Sequence, residues 1–214
     1  MAQRTGLLRN FHTAFDAAAR RLPDLEARFA NSSLWSDVML GPGGVLPETA
    51  RGWADVSGFA GSASSQHAQW YTLDLCLVAP AYSGAGDYWN SRTVLAIEHE
   101  NDSDVETEMW KLAHWRSDLS VLVFYDFSET ARREDGPSGD KWMPGVSKCN
   151  WLQAKCERLS GIVRNVEPND GLRHVLIVGQ RTSGPAPIQW RAATWENGGF
   201  THPRPLEEQI TGDY

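Results

Sequence analysis

The chain has 214 residues, 41% of them hydrophobic, and a formal net charge of −7, which suits one α/β domain of ordinary size with its own core. No apolar run reaches the roughly 18 residues of a membrane span, so no membrane partner is expected. The opening MAQRTGLLRNFHTAF has neither the apolar region nor the cleavage site of a secretory leader, and Cys76, Cys149 and Cys156 make no disulfide framework, so a cytoplasmic location is expected.

Residues 6–30 read as a helix, with Leu7, Leu8, Phe11, Phe15 and Ala18 at helical spacing and Pro23 as a break or the start of a second helix. Residues 41–69 are rich in Gly, Ser and Ala and read as loop, anchored by Trp53, Val56 and Phe59. The segment 70–79, WYTLDLCLVA, reads as a strand: Tyr71, Leu73, Leu75 and Leu77 on one face, Trp70, Thr72, Asp74, Cys76 and Val78 on the other. A turn-rich stretch then leads to a second strand at 93–100.

A helix is expected at 103–116, with Ser103 and Glu106 as a capping box and Val105, Met109, Leu112 and Ala113 as its apolar stripe. The run SVLVFYD, 120–126, suits a central buried strand. A polar loop (128–149), a helix (150–166), a buried strand (172–180) and a last strand (187–195) follow, and residues 201–214 are expected to fray. The sum is one domain over 1–214, of α/β class, with a central mixed sheet flanked by helices. Its core spans about 70–180, between an N-terminal helical segment (6–30) and a C-terminal extension (187–214).

The second strand ends in acid. From residue 98 every second position is a carboxylate: Glu98, Glu100, Asp102, Asp104, Glu106 and Glu108. Strand geometry puts Val94, Ala96, Glu98 and Glu100 on one face and Thr93, Leu95, Ile97 and His99 on the other. Like charges in a partly desolvated place repel unless a cation holds them. Asp74, placed mid-strand in an apolar segment, would be costly alone; if the two strands are neighbours, it and Glu98 can meet at one cation. Residues 31–131 carry four basic and fourteen acidic side chains, so the excess acidity surrounds this point. Phosphate contacts would have to come from the arginines before residue 29 and the basic residues of 132–158. The acids from 102 to 108 also suit a helix N-terminus with no further role.

This pattern resembles the PD-(D/E)xK nuclease superfamily, the fold of many type II restriction enzymes and Holliday-junction resolvases. The match lies on Asp74 in LDL, Glu98 and Glu100 in AIEHE, and the helix-then-strand sequel ending in VLVFYD, with 150–180 as the second half of the core. The resemblance implies a restriction-endonuclease-like core and an endonuclease that cuts DNA with Mg²⁺ (or Mn²⁺). By it, Asp74 and Glu98 are metal ligands, helped by the backbone carbonyl of His99, and a homodimer is expected. Position 100 is Glu where the family most often has Lys. The Glu-x-Glu form is similar to a variant in which the second Glu takes the base role or touches a second metal. Other members move the lysine to the next helix, where Lys111 is the candidate. On a helical wheel Lys111 points more than a right angle from the Val105/Met109/Leu112 stripe, whereas Glu108 borders it, so Glu108 is the stronger auxiliary acid.

Several plainer readings compete. His99 faces away from the acids and suits packing through its side chain. Cys149, Cys156 and His174 could hold zinc, but no CxxC pair is present. Tryptophans such as Trp110 and Trp151 sit at spacings typical of packing. No Walker loop, GxGxxG, GxSxG or HExxH motif occurs. The function expected is metal-dependent hydrolysis of DNA phosphodiester bonds. The alternative is a catalytically inactive module of the same fold, binding nucleic acid or a protein partner, which the missing lysine at position 100 and the acidic balance favour.

Overall fold

In a computed structural model of the chain, the described residues are 2–21, 32–59, 63–66, 73–79, 92–101, 104–126, 151–166, 173–180 and 188–211. Three helices come first: α1 (Ala2–Arg20), α2 (Ser32–Leu40) and α3 (Val45–Val56). Next come strands β1 (Ala63–Gln66), β2 (Leu75–Val78) and β3 (Thr93–His99), then helix α4 (Val105–His114), strand β4 (Ser117–Asp126), helix α5 (Trp151–Val166) and strand β5 (His174–Gln180). The chain closes with β6 (Gln189–Glu196), β7 (Gly199–Phe200), β8 (Arg204–Pro205) and α6 (Leu206–Thr211).

The sheet is mixed, in the order β1-β2-β3-β4-β5-β6-β7, with β8 paired to β6. β3, β4 and β5 run parallel and the other pairs are antiparallel. Parallel neighbours need crossovers, and α4 and α5 supply them. The carboxyl ends of β3, β4 and β5 therefore share one edge of the sheet, and the start of antiparallel β2 joins them there.

Helices cover both faces, as expected for an α/β chain. Leu75, Leu77, Leu95, Ile97, Val121, Val123 and Ile177 pack toward Phe11, Phe15, Trp35 and Trp53 of α1–α3. Cys76, Ala96, Leu122, Phe124, Leu176 and Val178 pack toward Val105, Met109 and Leu112 of α4 and Cys156, Leu159 and Val163 of α5. Strands covered on both faces read as unbroken apolar runs, and every residue of Leu119–Asp126 is buried. Arg173, itself buried, donates to Trp115 O (2.5 Å) and Ala113 O (3.4 Å) at the C-terminus of α4 and to Ser117 O (3.3 Å) at the start of β4.

Several expectations need correction. The Gly/Ser/Ala-rich segment 41–69 is not all loop, because Val45, Leu46, Ala50, Trp53 and Ala54 make the buried side of α3. Residues 204–211 form β8 and α6, with Leu206 buried. Val94 does not share the face of Ala96: Val78 pairs with Thr93 and Leu77 with Leu95, so Val94 is bulged out and packs on the α1–α3 side. Leu73 packs on the α4–α5 side and not with Leu75 and Leu77. The first helix ends at Arg20 and Pro23 lies outside the described residues, as do Ser103 of the expected capping box and the whole of the 128–149 loop; Asp104 is the N-cap of α4, with no side-chain cap hydrogen bond. Asn197 (φ 51°) and Gly198 (φ 80°) turn β6 into β7, the pair of left-handed residues that a tight hairpin turn requires.

Candidate functional site

The β2–β3 register pairs Leu75 with Ile97, so Asp74 and Glu98 are the next residues along the ladder. There, side chains replace ladder bonds. The Asp74 amide donates to Glu98 Oε2 at 3.3 Å, and the His99 amide donates to Asp74 Oδ2 at 2.8 Å. Asp74 is thus a bend just before β2 and not a mid-strand residue. Glu98 is 0% exposed, held on the α4–α5 side of a strand whose preceding residues Val94–Ile97 are apolar.

Lys111 of α4 completes the group. Its Nζ lies 2.8 Å from Glu98 Oε1 and also contacts Glu108 Oε2. Both oxygens are buried, so the ammonium pairs with them out of contact with solvent. Burial pushes the Glu98 carboxyl upward; the Lys111 contact opposes that shift, and the charges of Asp74 and Glu108 add to it. For Lys111 itself burial acts downward, but its bonds to Glu108 and Glu98 outweigh it and leave the pKa raised. The helical wheel misjudged this residue. A wheel gives the direction of Cβ, whereas a lysine stem is long and can lean back toward its helix N-terminus.

The remaining candidates stand at the margin. Glu100 follows β3 and is half-buried, its amide donating to Val123 O at 2.8 Å. The charges of Asp74, Glu108 and Lys111 act on Glu98. The His99 ring turns to the opposite face, where Nε2 lies 2.8 Å from the Tyr125 hydroxyl, and burial lowers its pKa to about 4. Its backbone amide serves the site through Asp74. Among the described residues no group of three or more His, Cys, Asp or Glu is arranged to hold a metal ion.

Cys149 lies outside the described residues, and Cys156 is a buried thiol that burial pushes up to about 12. A second ion cluster, unforeseen from the sequence, bridges α4 and α5. Lys155, 1% exposed, pairs with Glu106 at 2.8 Å and lies 5.3 Å from the Trp151 ring centroid, and Arg158 reaches Glu106 at 3.3 Å. Only its i, i+3 spacing of Lys155 and Arg158 could have hinted at a shared partner. Trp110 is 54% exposed against His114, so helical spacing did not make it a core residue. Neither a protein-family model, nor a curated protein, nor a solved structure matches the chain.

Proposed function

We propose that the chain is a metal-dependent nuclease hydrolysing DNA phosphodiester bonds at the edge formed by Asp74 and Glu98. One observation carries the reading: the fully buried Glu98 lies beside the carboxylates of Asp74 and Glu108 and is paired to the Lys111 ammonium, which Glu108 shares. An acid-rich, desolvated group of this kind is relieved by further positive charge. Its donors are carboxylate oxygens, which suit a hard cation. Mg²⁺ needs only one or two of them, its remaining positions going to water and substrate phosphate. The residues present therefore fit Mg²⁺ or Mn²⁺, with Asp74 and Glu98 to hold it. Location supports the same reading, since ligands of open α/β sheets sit outside the carboxyl ends of parallel strands.

When bound, the ion would supply Lewis acidity toward the phosphate and a water of lowered pKa. The chain's own groups would divide the rest of the work. The His99 amide fixes the Asp74 carboxylate, and the Asp74 amide fixes Glu98 Oε2. The Lys111 ammonium would face charge developing on the phosphate. Glu100, the residue that the family resemblance singles out, would orient or deprotonate the attacking water.

Plasmid nicking in Mg²⁺ tests the reading. Wild-type protein should cut, and Asp74→Ala and Glu98→Ala should not, with circular dichroism unchanged; either variant retaining full activity defeats the assignment. The glutamate at position 100, where the family most often has lysine, favours a second reading, an inactive module of the same fold. Tight Mg²⁺ or Mn²⁺ binding without nicking would select it.

A further inference from the structure

We infer that Lys111 is the built-in counter-ion of the Asp74–Glu98 site, and that a divalent cation binding Glu98 must displace it. The inference rests on the metal-binding reading above and concerns what the cation meets on arrival. Glu98 has two oxygens, and both are engaged. Oε2 accepts the Asp74 amide at 3.3 Å, and Oε1 lies 2.8 Å from Lys111 Nζ. The carboxylate has no solvent-facing side from which a cation can approach a third position. Of the two partners, the amide belongs to the backbone and cannot leave without moving the start of β2. The ammonium ends a flexible four-carbon stem, and its side chain is 21% exposed at the rim.

Electrostatics points the same way. A dication and an ammonium sharing one buried oxygen repel in a medium that screens poorly. Lys111 can swing outward and recover hydration with its stem still lying on the protein. Glu108, 15% exposed in its side chain, is the second carboxylate that the ammonium now bridges, so the swing unpairs it as well. Lys111 thus sets a threshold: an ion must bring enough charge to replace an ammonium, which favours divalent over monovalent cations.

A lysine acting only on substrate would leave metal affinity unchanged on removal. A competing counter-ion raises affinity when it is removed. Calorimetric titration with Mn²⁺ separates the two, using wild type, Lys111→Gln and Lys111→Met, with Glu98→Gln as the non-binding control. The expected result is Mn²⁺ binding about tenfold tighter, or more, in both lysine variants. Equal or weaker binding overturns the inference. Should the lysine variants not fold, wild-type protein answers by itself: acetylation of Lys111, followed by mass spectrometry, should speed up several-fold when Mn²⁺ is added. An unchanged or slower rate overturns the inference. Glu98-dependent Mn²⁺ binding with neither effect sinks this inference alone, whereas no Mn²⁺ binding by wild type sinks it together with the proposed metal site.

Discussion

The sheet face under α1, α2 and α3 is filled by Phe11, Phe15, Trp35 and Trp53, each at most 1% exposed, whereas the face under α4 and α5 buries Glu98, Asp126 and Lys155 among its apolar residues. One set of strands serves both, because alternate residues point to opposite sides. The contrast separates packing from chemistry. Buried ion clusters add little net stability compared with apolar residues of the same volume, so a chain that needed only a core would have made the two faces alike. His99 joins them: its ring belongs to the aromatic face beside Tyr125, and its amide holds Asp74 on the acidic one.

The largest effects should split along this line. Glu98→Ala should lower nicking by about a thousandfold, as loss of a principal electrostatic group does. Glu98→Gln should be equally inactive yet keep its urea midpoint, because Glu108 still pairs the Lys111 ammonium. A variant that is both inactive and less stable would blur the contrast. On the aromatic face Trp53→Ala should do the reverse, destabilising by about 3–5 kcal/mol with Mn²⁺ affinity retained in the folded fraction.

Acid probes the aromatic face through His12 of α1, which is 0% exposed and has neither ring nitrogen hydrogen-bonded. Burial lowers its pKa from 6.5 to about 4. The unfolded chain takes up a proton near pH 6.5 and the folded one only near 4. The stability from keeping this ring neutral is therefore complete above pH 6.5, and it is lost as the pH falls from 6.5 to 4, by about 3 kcal/mol in all. His12→Leu should flatten urea midpoints across that window; an unaltered slope would show that His12 is not the group responsible. The smallest effect belongs to the junction. Tyr125→Phe removes the hydroxyl beside His99 and should cost about 1 kcal/mol, seen as a small drop in thermal midpoint, with nicking kept.

Much of the architecture was legible. Residues 93–99, 120–126 and 174–180 are apolar runs that only strands covered on both faces would carry, and α4 and α5 show plain helical spacing. The meeting of Asp74 with Glu98 followed from alternation once the two strands were taken as neighbours. Composition hid α3: the Gly and Ser of 41–69 masked the spacing of Val45, Leu46, Ala50 and Trp53, which was there to be read. The chain reversal before it is made by Gly43, at φ 75°, and by Gly44, whose added Cβ would fall 2.6 Å from Val38 O. The reach of Lys111 and the pairing of Lys155 with Glu106 were not legible, because both depend on how long side chains cross between elements, which no periodicity encodes.

The most direct test is a crystal soaked in Mn²⁺ and read by anomalous scattering. A peak about 2.1 Å from carboxylate oxygens of both Asp74 and Glu98 is the predicted result. A map with no peak between them at saturating Mn²⁺, and with the Lys111 ammonium still on Glu98 Oε1, would contradict it.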